Sequence, residues 1–207
     1  MKFFSSILTL LLLASIVFIA QQRPSGSSQH PASSQPSSSG HRLAQSLQAK
    51  LDYIKQNSER ANPSQAPTVM TEEEINDYIA SGGIVLPQGV KKLRLEGRTG
   101  VVTAFLNVDF DEIRGGQKSA NPLLSLFNGR HDVRVEADAA GSGHEGRVHV
   151  REVSIDGYTV PRMALEYFVS KYITPKYPNI GLDSTFQLPD KIDVATVGYH
   201  KLTVTQK

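Results

Sequence analysis

Apolar and polar residues alternate over most of the segment from Val90 to Ile155, and this period of two constrains the fold more than any other feature. Leu93 and Leu95 alternate with charged residues, and glycines at 97 and 100 turn the chain into a second run. The apolar positions of that second run are Val102, Ala104, Leu106, Val108 and Phe110. Since successive side chains of a strand point to opposite faces of a sheet, the pattern predicts antiparallel strands with one buried face.

The alternation continues after residue 130. Its apolar positions are Val133, Val135, Ala137 and Ala139, followed after a glycine-rich turn by Val148 and Val150. The apolar phase then shifts by one residue to Val153 and Ile155, which predicts a β-bulge near Arg151 and Glu152. A last alternating pair of segments turns at Gly198 and predicts a C-terminal hairpin.

Two helical patterns accompany these strands. Thr71 precedes three glutamates, a capping box in which its hydroxyl accepts the Glu74 N–H and Glu74 reaches back. The second helix is expected to begin at Pro161, and its apolar face consists of Leu165, Phe168, Val169 and Tyr172. The order of helices and strands predicts an α+β domain with an antiparallel sheet over residues 71–207.

Residues 3–20 carry no charge and follow Lys2, a pattern typical of an export signal. The run is close to the length that a helix needs to cross about 30 Å of hydrocarbon. Cleavage after Ala20 would place Phe18 where signal peptidase prefers a small side chain. The pattern favours an uncleaved signal anchor over residues 1–20 that inserts into the membrane through residues 3–20, with the domain on the extracytoplasmic side. The alternative is a protein secreted after signal cleavage.

Three segments separate this apolar run from the domain. Residues 21–41 are rich in Ser, Pro and Gln, a composition that predicts a disordered tether. Residues 42–60 predict an amphipathic helix, because apolar residues recur at helical spacing at Leu43, Leu47, Leu51 and Ile54. This helix either docks loosely on the domain and frays, or forms a coiled-coil or membrane-surface segment. Residues 61–70 contain two prolines and predict a linker.

The composition excludes several classes of function. The chain has no Cys, so it has no disulfide, thiolate metal site or thiol nucleophile. The formal charge is +2 and no basic stripe stands out, so no nucleic-acid partner is expected. No serine lies in a G-x-S-x-G elbow, and Gly115-Gly116 lacks the residues of a phosphate-binding loop. We therefore predict a protein that is not an enzyme, with no catalytic residues and no cofactor.

Two small clusters of potential metal ligands are better explained without a metal. His144, Glu145 and His149 lie among glycines, at a spacing that does not fit the helical zincin motif, and indicate a polar hairpin tip. The acidic residues Asp109, Asp111 and Glu112 supply only part of a calcium loop. We predict no metal site. A scattered active site around Asp109, Asp111 and His149 is the enzymatic alternative.

Four short motifs together resemble a known arrangement. They are the acidic helix start at residues 71–76, the strand motif at 108–110, the strand end at 153–157 that passes through Val160-Pro161 into a helix, and residues 186–189 before the last hairpin. Over residues 71–207 the chain resembles small exported proteins of the YpmS-like and LmeA-like type, which are similar to tubular lipid-binding domains. The tether and the helical segment 42–60 depart from that pattern. The resemblance implies a curved antiparallel sheet packed on one main helix, with an apolar groove for lipid chains and no catalytic residues.

The residues themselves are compatible with such a groove. Alanines at 104, 137 and 139 leave space on the apolar strand faces, and an acyl chain would occupy whatever part of it the helix leaves open. The candidate groove residues are Ala104, Leu106, Val108, Ala137, Leu165, Phe168, Val169 and Tyr172. The alternative is a sealed core in which the small residues let the helix approach closely.

An apolar loop supplies the second candidate contact. Its residues are Leu123, Leu124, Leu126 and Phe127, which form either a lid over the groove, a partner or membrane contact, or a capped edge of the core. The expected function is a membrane-tethered, envelope-facing domain that binds a lipid or another apolar ligand. The alternative is an anchored protein–protein interaction module of an envelope complex, acting through this loop or through a sheet edge.

Overall fold

The fold is α+β, with one large antiparallel sheet and few helices, as the alternation predicts. The computed structural model describes residues 38–116, 124 and 126–207. The predicted apolar N-terminal helix and most of the predicted tether lie outside these residues. The described helices are α1 (Ser38–Ser58), α2 (Glu72–Ala80), α3 (Phe110–Ile113) and α4 (Arg162–Phe168), and a π-helical turn (Val169–Ile173) continues α4.

In the described part of the chain nine strands form the sheet, and every pair of them is antiparallel. They are β1 (Thr68–Thr71), β2 (Val90–Arg98), β3 (Val101–Asp109), β4 (Arg130–Ser142), β5 (Glu145–Ile155), β6 (Tyr158–Thr159), β7 (Asp183–Gln187), β8 (Ile192–Gly198) and β9 (Lys201–Gln206). β4 is the longest of these strands, and three other strands pair with it. β5 pairs with one of its edges, and β3 and then β8 pair with the other.

The β2–β3 turn and the β8–β9 turn contact each other. They lie at the point along β4 where its pairing partner changes from β3 to β8. The N–H of Gly100 donates to the Val197 carbonyl at 3.0 Å, and the N–H of His200 donates to the Gly97 carbonyl at 3.0 Å. A Cβ at position 97 would lie 3.1 Å from the Gly198 carbonyl oxygen, closer than ordinary van der Waals contact. Glycine at this position therefore lets the two turns approach closely enough to bond.

Several local predictions are confirmed. The capping box forms, because the Thr71 side chain accepts the Glu74 N–H and Glu74 accepts the Thr71 N–H. The register between β4 and β5 shifts after Glu136 pairs with Glu152, and Arg151 has no partner in the ladder, which is the predicted bulge. The C-terminal hairpin pairs β8 with β9. Pro161 differs slightly from the prediction, since it caps α4 and Arg162 is the first helical residue.

Helix α1 is an integral part of the core, which corrects the prediction of a loosely docked helix over residues 42–60. Leu47, Leu51 and Ile54 are 0%, 2% and 0% exposed, and they pack in the same cluster as residues of α2, β8 and β9. The helix also begins earlier, at Ser38, inside the predicted tether. The predicted linker 61–70 contains most of β1, which pairs with β9. The folded unit therefore starts well before residue 71.

Two buried polar networks hold α1 in place. Asn57 donates to the Ser64 carbonyl at 2.9 Å and to Gln206 Oε1 at 2.8 Å, which ties the helix to the last strand. The Glu74 carboxylate accepts hydrogen bonds from Ser46 and Lys50 on α1 and from the Thr71 N–H. Burial alone would raise the pKa of Glu74, but these hydrogen bonds outweigh it and hold the pKa below its ordinary value. Glu74 is therefore ionised and paired in the folded protein.

Two hydrophobic clusters cover the same face of the sheet. The first contains α1, α2 and residues of β8 and β9, and reaches Ala137 and Ala139 on β4. The second contains α3, α4 and the π-helical turn, and reaches Val133 on β4. Odd-numbered residues of β4 point to one face, so both helical groups pack on that face, side by side along the strand. Two helical groups thus take the place of the single main helix that the resemblance implied. Within the described ranges, no helix is long and apolar enough to cross a membrane.

Candidate functional site

The candidate site is the gap between the two hydrophobic clusters. Leu106 on β3, Val135 on β4 and Val150 on β5 lie on the covered face, and all three are only half-buried although both clusters contact them. Neither helical group covers them fully, because the α1 and α2 side chains reach the sheet on one side of this row and the α4 side chains on the other. An apolar pocket of about 210 Å³ opens above the row.

Aliphatic side chains of the sheet form one wall of this pocket. They are Val90, Ala104, Leu106, Val108, Val133, Val135, Val148, Val150, Val153 and Ile155. The opposite wall comes from α4 and the π-helical turn, with Leu165, Phe168, Val169 and Ile173. The lining also includes Phe110, Ile113, Phe127, Ile180 and Leu182. Among these lining residues Ser184 has the only polar side chain, and its hydroxyl bonds the backbone of Gly181.

Three phenylalanines make one end of the pocket rigid. The rings of Phe127 and Phe168 stack with centroids 4.3 Å apart, and Phe110 packs edge-on against both, at 5.4 and 5.5 Å. Such pairs contribute about 0.5–1.5 kcal/mol beyond their buried area. The aromatic group links α3, α4 and the segment before β4, so the pocket wall does not depend on a single helix.

The structure brings together most of the predicted groove residues. Six of the eight line the pocket, namely Ala104, Leu106, Val108, Leu165, Phe168 and Val169. Ala137 does not line it, because it is fully buried in the first cluster. Tyr172 is buried in the second cluster and contacts Phe168 there. At these two positions the side chains pack in a sealed core, which was the alternative to a groove.

The predicted lid is divided between the core and the surface. Leu124 and Phe127 are buried in the second cluster, and only Phe127 lines the pocket. Leu126 is 44% exposed and does not line the pocket. Leu123 lies outside the described residues. In the described part, the loop therefore forms a capped edge of the core with one exposed leucine.

Sequence reasoning missed the contribution of β5 and of the segment after the π-helical turn. Val148, Val150, Ile180 and Leu182 line the pocket, and none of them was among the predicted groove residues. The alternation already placed Val148 and Val150 on an apolar face, which was a usable signal. For Ile180 and Leu182 the sequence holds no such signal, because their position depends on the chain path after Pro178.

The size of the pocket limits its occupant. An engineered apolar cavity of about 150 Å³ is large enough to bind benzene, whereas pockets for drug-sized ligands measure about 300–1,000 Å³. A volume of 210 Å³ lies between these values. The pocket therefore fits part of one hydrocarbon chain or a single small apolar group, and not a whole two-chain lipid.

The structure does not bring the candidate catalytic residues together. Asp109 pairs with Arg130 at the start of β4, whereas His149 pairs in the ladder with Asp138, eight residues further along the strand. At about 3.3 Å per residue this separation is roughly 26 Å. Asp109 caps α3, and Asp111 and Glu112 form ion pairs with Arg114 and Lys91. Across the described ranges, no group of three or more His, Asp or Glu residues is placed to hold a metal ion.

His131 ties the segment that carries Phe127 to the sheet. Its Nδ1 lies 2.5 Å from Asp156 Oδ2, and its Nε2 lies 2.6 Å from the Asn128 carbonyl. Both neighbours are acceptors, so both ring nitrogens must carry a proton for both bonds to form. The hydrogen bond to Asp156 is the main cause that raises the pKa of His131, and the same bond lowers the pKa of Asp156.

This arrangement predicts a pH-dependent stability. Because the pKa of His131 is raised in the folded state, its contribution is complete below its ordinary pKa of 6.5 and is lost as the pH rises through the raised value. Asp156 contributes above its ordinary pKa of 3.8 and loses its contribution as the pH falls through the lowered value. The pair is therefore most stabilising between these two ordinary values.

Urea unfolding as a function of pH tests this expectation. In the wild type, the free energy of unfolding should decline as the pH rises through the raised pKa of His131. That step should be missing in His131→Gln, while His41→Gln, a change at an exposed histidine of α1, should retain it. An unchanged step in His131→Gln would assign the pH dependence to another group.

Comparison with known proteins identifies no relative: no family model matches the chain, and no curated protein or solved structure is significantly similar to it. The likeness to YpmS-like and LmeA-like proteins therefore stays a prediction from short motifs.

Proposed function

We propose that this protein is a membrane-tethered, extracytoplasmic domain that binds a lipid chain or another apolar ligand in the pocket between its two hydrophobic clusters and performs no covalent chemistry. The observation that carries the proposal is the pocket of about 210 Å³, whose lining contains a single polar side chain. A hydrocarbon chain loses no hydrogen bonds on entering such a site, whereas water would find almost no partners there.

The magnitude of the expected gain supports an occupant. Each methylene group buried in an apolar site contributes about 0.8 kcal/mol. A bound chain would cover Leu106, Val135 and Val150, which are only half-buried in the structure.

The N-terminal segment supports the location that we propose. Residues 3–20 would hold the chain at a membrane, and the Ser- and Pro-rich residues that follow would act as a spacer of up to about 17 residues before α1 begins at Ser38. A membrane also supplies apolar chains to a nearby domain. In the alternative, the signal is cleaved and the same pocket acts in a secreted protein.

Filling the pocket tests the proposal. Val135 lies on the wall between the two clusters and is only half-buried, so Val135→Trp should occupy the space with little loss of existing contacts. We expect the full-length wild type, extracted in lipid nanodiscs, to retain a lipid in native mass spectrometry, and the variant to lose it.

Val69→Trp is the matched control, because Val69 lies on β1 with 41% of its surface exposed and does not line the pocket. It should retain the lipid as the wild type does. A wild-type protein that releases no lipid under gentle conditions, and that binds no added apolar probe, would contradict the proposal.

A free stretch of sheet edge favours a second candidate function, an interaction with another protein. Side chains of α2 cap part of the outer edge of β2, because Asn76 bonds both backbone groups of Leu95 and Glu72 accepts the Gly97 N–H. By alternation the backbone of Leu93 faces the same edge, where no side chain of the described residues bonds it. An extended segment of a partner would pair there, and cross-linking that recovers only this protein would argue against such a role.

A further inference from the structure

Arg114 is a buried cation with an unused hydrogen-bond donor. Its side chain is 6% exposed, and one terminal nitrogen pairs with the exposed carboxylate of Asp111. Its Nε–H has no hydrogen-bond partner, and no other side-chain nitrogen or oxygen of the described residues is buried in this way. A buried donor without an acceptor has lost its hydrogen bonds to water without replacing them, so an unpaired guanidinium N–H requires an explanation.

This cation follows the pocket residues of α3 in the chain. Arg114 does not itself line the pocket, but it directly follows Ile113, which does, and it lies one helical turn after Phe110, another lining residue, whose carbonyl accepts the backbone N–H of Arg114 at 3.0 Å. Lys176 donates from Nζ to the Ile113 carbonyl at 2.6 Å, which places a second cation at the same residue. Two cations therefore flank one lining side chain.

Lys176 differs from the cations around α3 in having no carboxylate partner. The carboxylates of Asp109, Asp111 and Glu112 pair with Arg130, Arg114 and Lys91. Lys176 bonds only a carbonyl, and no described carboxylate pairs with it. That carbonyl belongs to Ile113, the residue before Arg114, so an unpaired ammonium group accompanies the unpaired Nε–H on this segment.

We infer that the ligand is a single-chain amphiphile with an anionic headgroup, whose chain lies in the pocket and whose carboxylate or phosphate accepts the Nε–H of Arg114 with Lys176 nearby. This inference rests on the proposed function, since it assigns the class of ligand for the same pocket. A charged acceptor satisfies the unpaired donor by a charge-assisted bond and supplies an anion for Lys176. The pocket volume restricts the apolar part to a segment of one chain.

The test compares two probes that differ only in the headgroup. Full-length protein in nanodiscs of a neutral phospholipid is photolabelled with a diazirine derivative of dodecanoic acid or of dodecanol. Unlabelled decanoate and decanol then compete with each probe. A charge-assisted hydrogen bond corresponds to about a tenfold or greater preference, so the wild type should prefer the acid by at least that factor. Mass spectrometry of peptides should place the label within the pocket walls.

Two substitutions that each remove one positive charge distinguish a specific bond to Arg114 from a general electrostatic attraction. Arg114→Met should bring the acid and alcohol affinities close to each other without weakening the binding of the alcohol. Arg130→Gln removes an exposed cation at the same end of the sheet, and it should retain the preference. Lys176→Met, at an exposed position, should reduce the preference only in part.

The outcomes separate this inference from the proposed function. Equal affinity of the wild type for acid and alcohol would overturn the inference while the pocket remained a binding site. Failure to bind either probe would overturn both. The wild-type comparison requires no substitution, so it decides the question even if Arg114→Met does not fold.

Discussion

A chain shortened to residues 68–207, which keeps every strand but lacks helix α1, should fail to fold cooperatively, whereas residues 38–207 should fold. Removing α1 deletes the buried side chains of Leu47, Leu51 and Ile54 and uncovers the first hydrophobic cluster beneath them. Truncating one buried leucine or isoleucine to alanine costs about 2–5 kcal/mol. Losing three whole residues of this kind therefore removes about as much free energy as a domain of this size possesses, about 5–15 kcal/mol.

Urea unfolding followed by far-ultraviolet circular dichroism measures this effect. Residues 38–207 should unfold in one sigmoidal transition, and residues 68–207 should show none. Leu47→Ala in the longer chain should lower the free energy of unfolding by about 2–5 kcal/mol. The exposed neighbour Gln45 provides the control, and Gln45→Ala should change it by less than about 0.5 kcal/mol. A cooperative transition in the shorter chain would show that α1 is dispensable.

Phe168→Ala should lower the free energy of unfolding by about 3–5 kcal/mol and enlarge the apolar pocket at the same time. Phe168 is buried at the centre of the aromatic group, where it stacks on Phe127 and contacts Phe110 and Tyr172. Its removal deletes these contacts and leaves a void continuous with the pocket.

The neighbouring Tyr167 provides a matched control. It is an aromatic residue of the same helix with 39% of its surface exposed, and Tyr167→Ala should cost less than about 1 kcal/mol. Denaturant unfolding of both variants gives the comparison. If the two substitutions had equal effects, Phe168 would not be the centre of the second cluster. Under the proposed function, Phe168→Ala should also bind a bulkier apolar probe than the wild type does.

Much of the fold was predictable from local patterns. The alternation from Val90 onward identified the strands, their turns and the buried face, because period two is a property of the extended backbone itself. The bulge at Arg151 was visible as a shift of the apolar phase, and the Thr71 capping box was visible as four adjacent residues. Each of these features depends on neighbours in the chain, so the sequence contains it directly.

The limits of the folded unit were not predictable in the same way. The spacing of Leu47, Leu51 and Ile54 predicted an amphipathic helix. The narrow apolar stripe did not indicate which residues cover that face of the helix. The covering surface comes from α2, β8 and β9, and the bond between Asn57 and Gln206 joins positions 149 residues apart. Contacts at such separation leave no periodic signal at either position. This is why prolines 63 and 67 suggested a linker where the chain in fact leads into β1.

The same distinction between local patterns and distant contacts applies to the candidate site. Local periodicity was sufficient to assign six pocket residues to apolar faces that point to the core, namely Ala104, Leu106, Val108, Leu165, Phe168 and Val169. That the two helical groups stop short of each other above Leu106, Val135 and Val150, and leave a pocket there, depends on how distant segments pack. The tertiary structure also buries the Arg114 side chain, next in the chain to the pocket residue Ile113, with its Nε–H unpaired. Periodicity indicates which way a side chain points, but whether the space it points into is filled depends on residues from six separate segments of the chain.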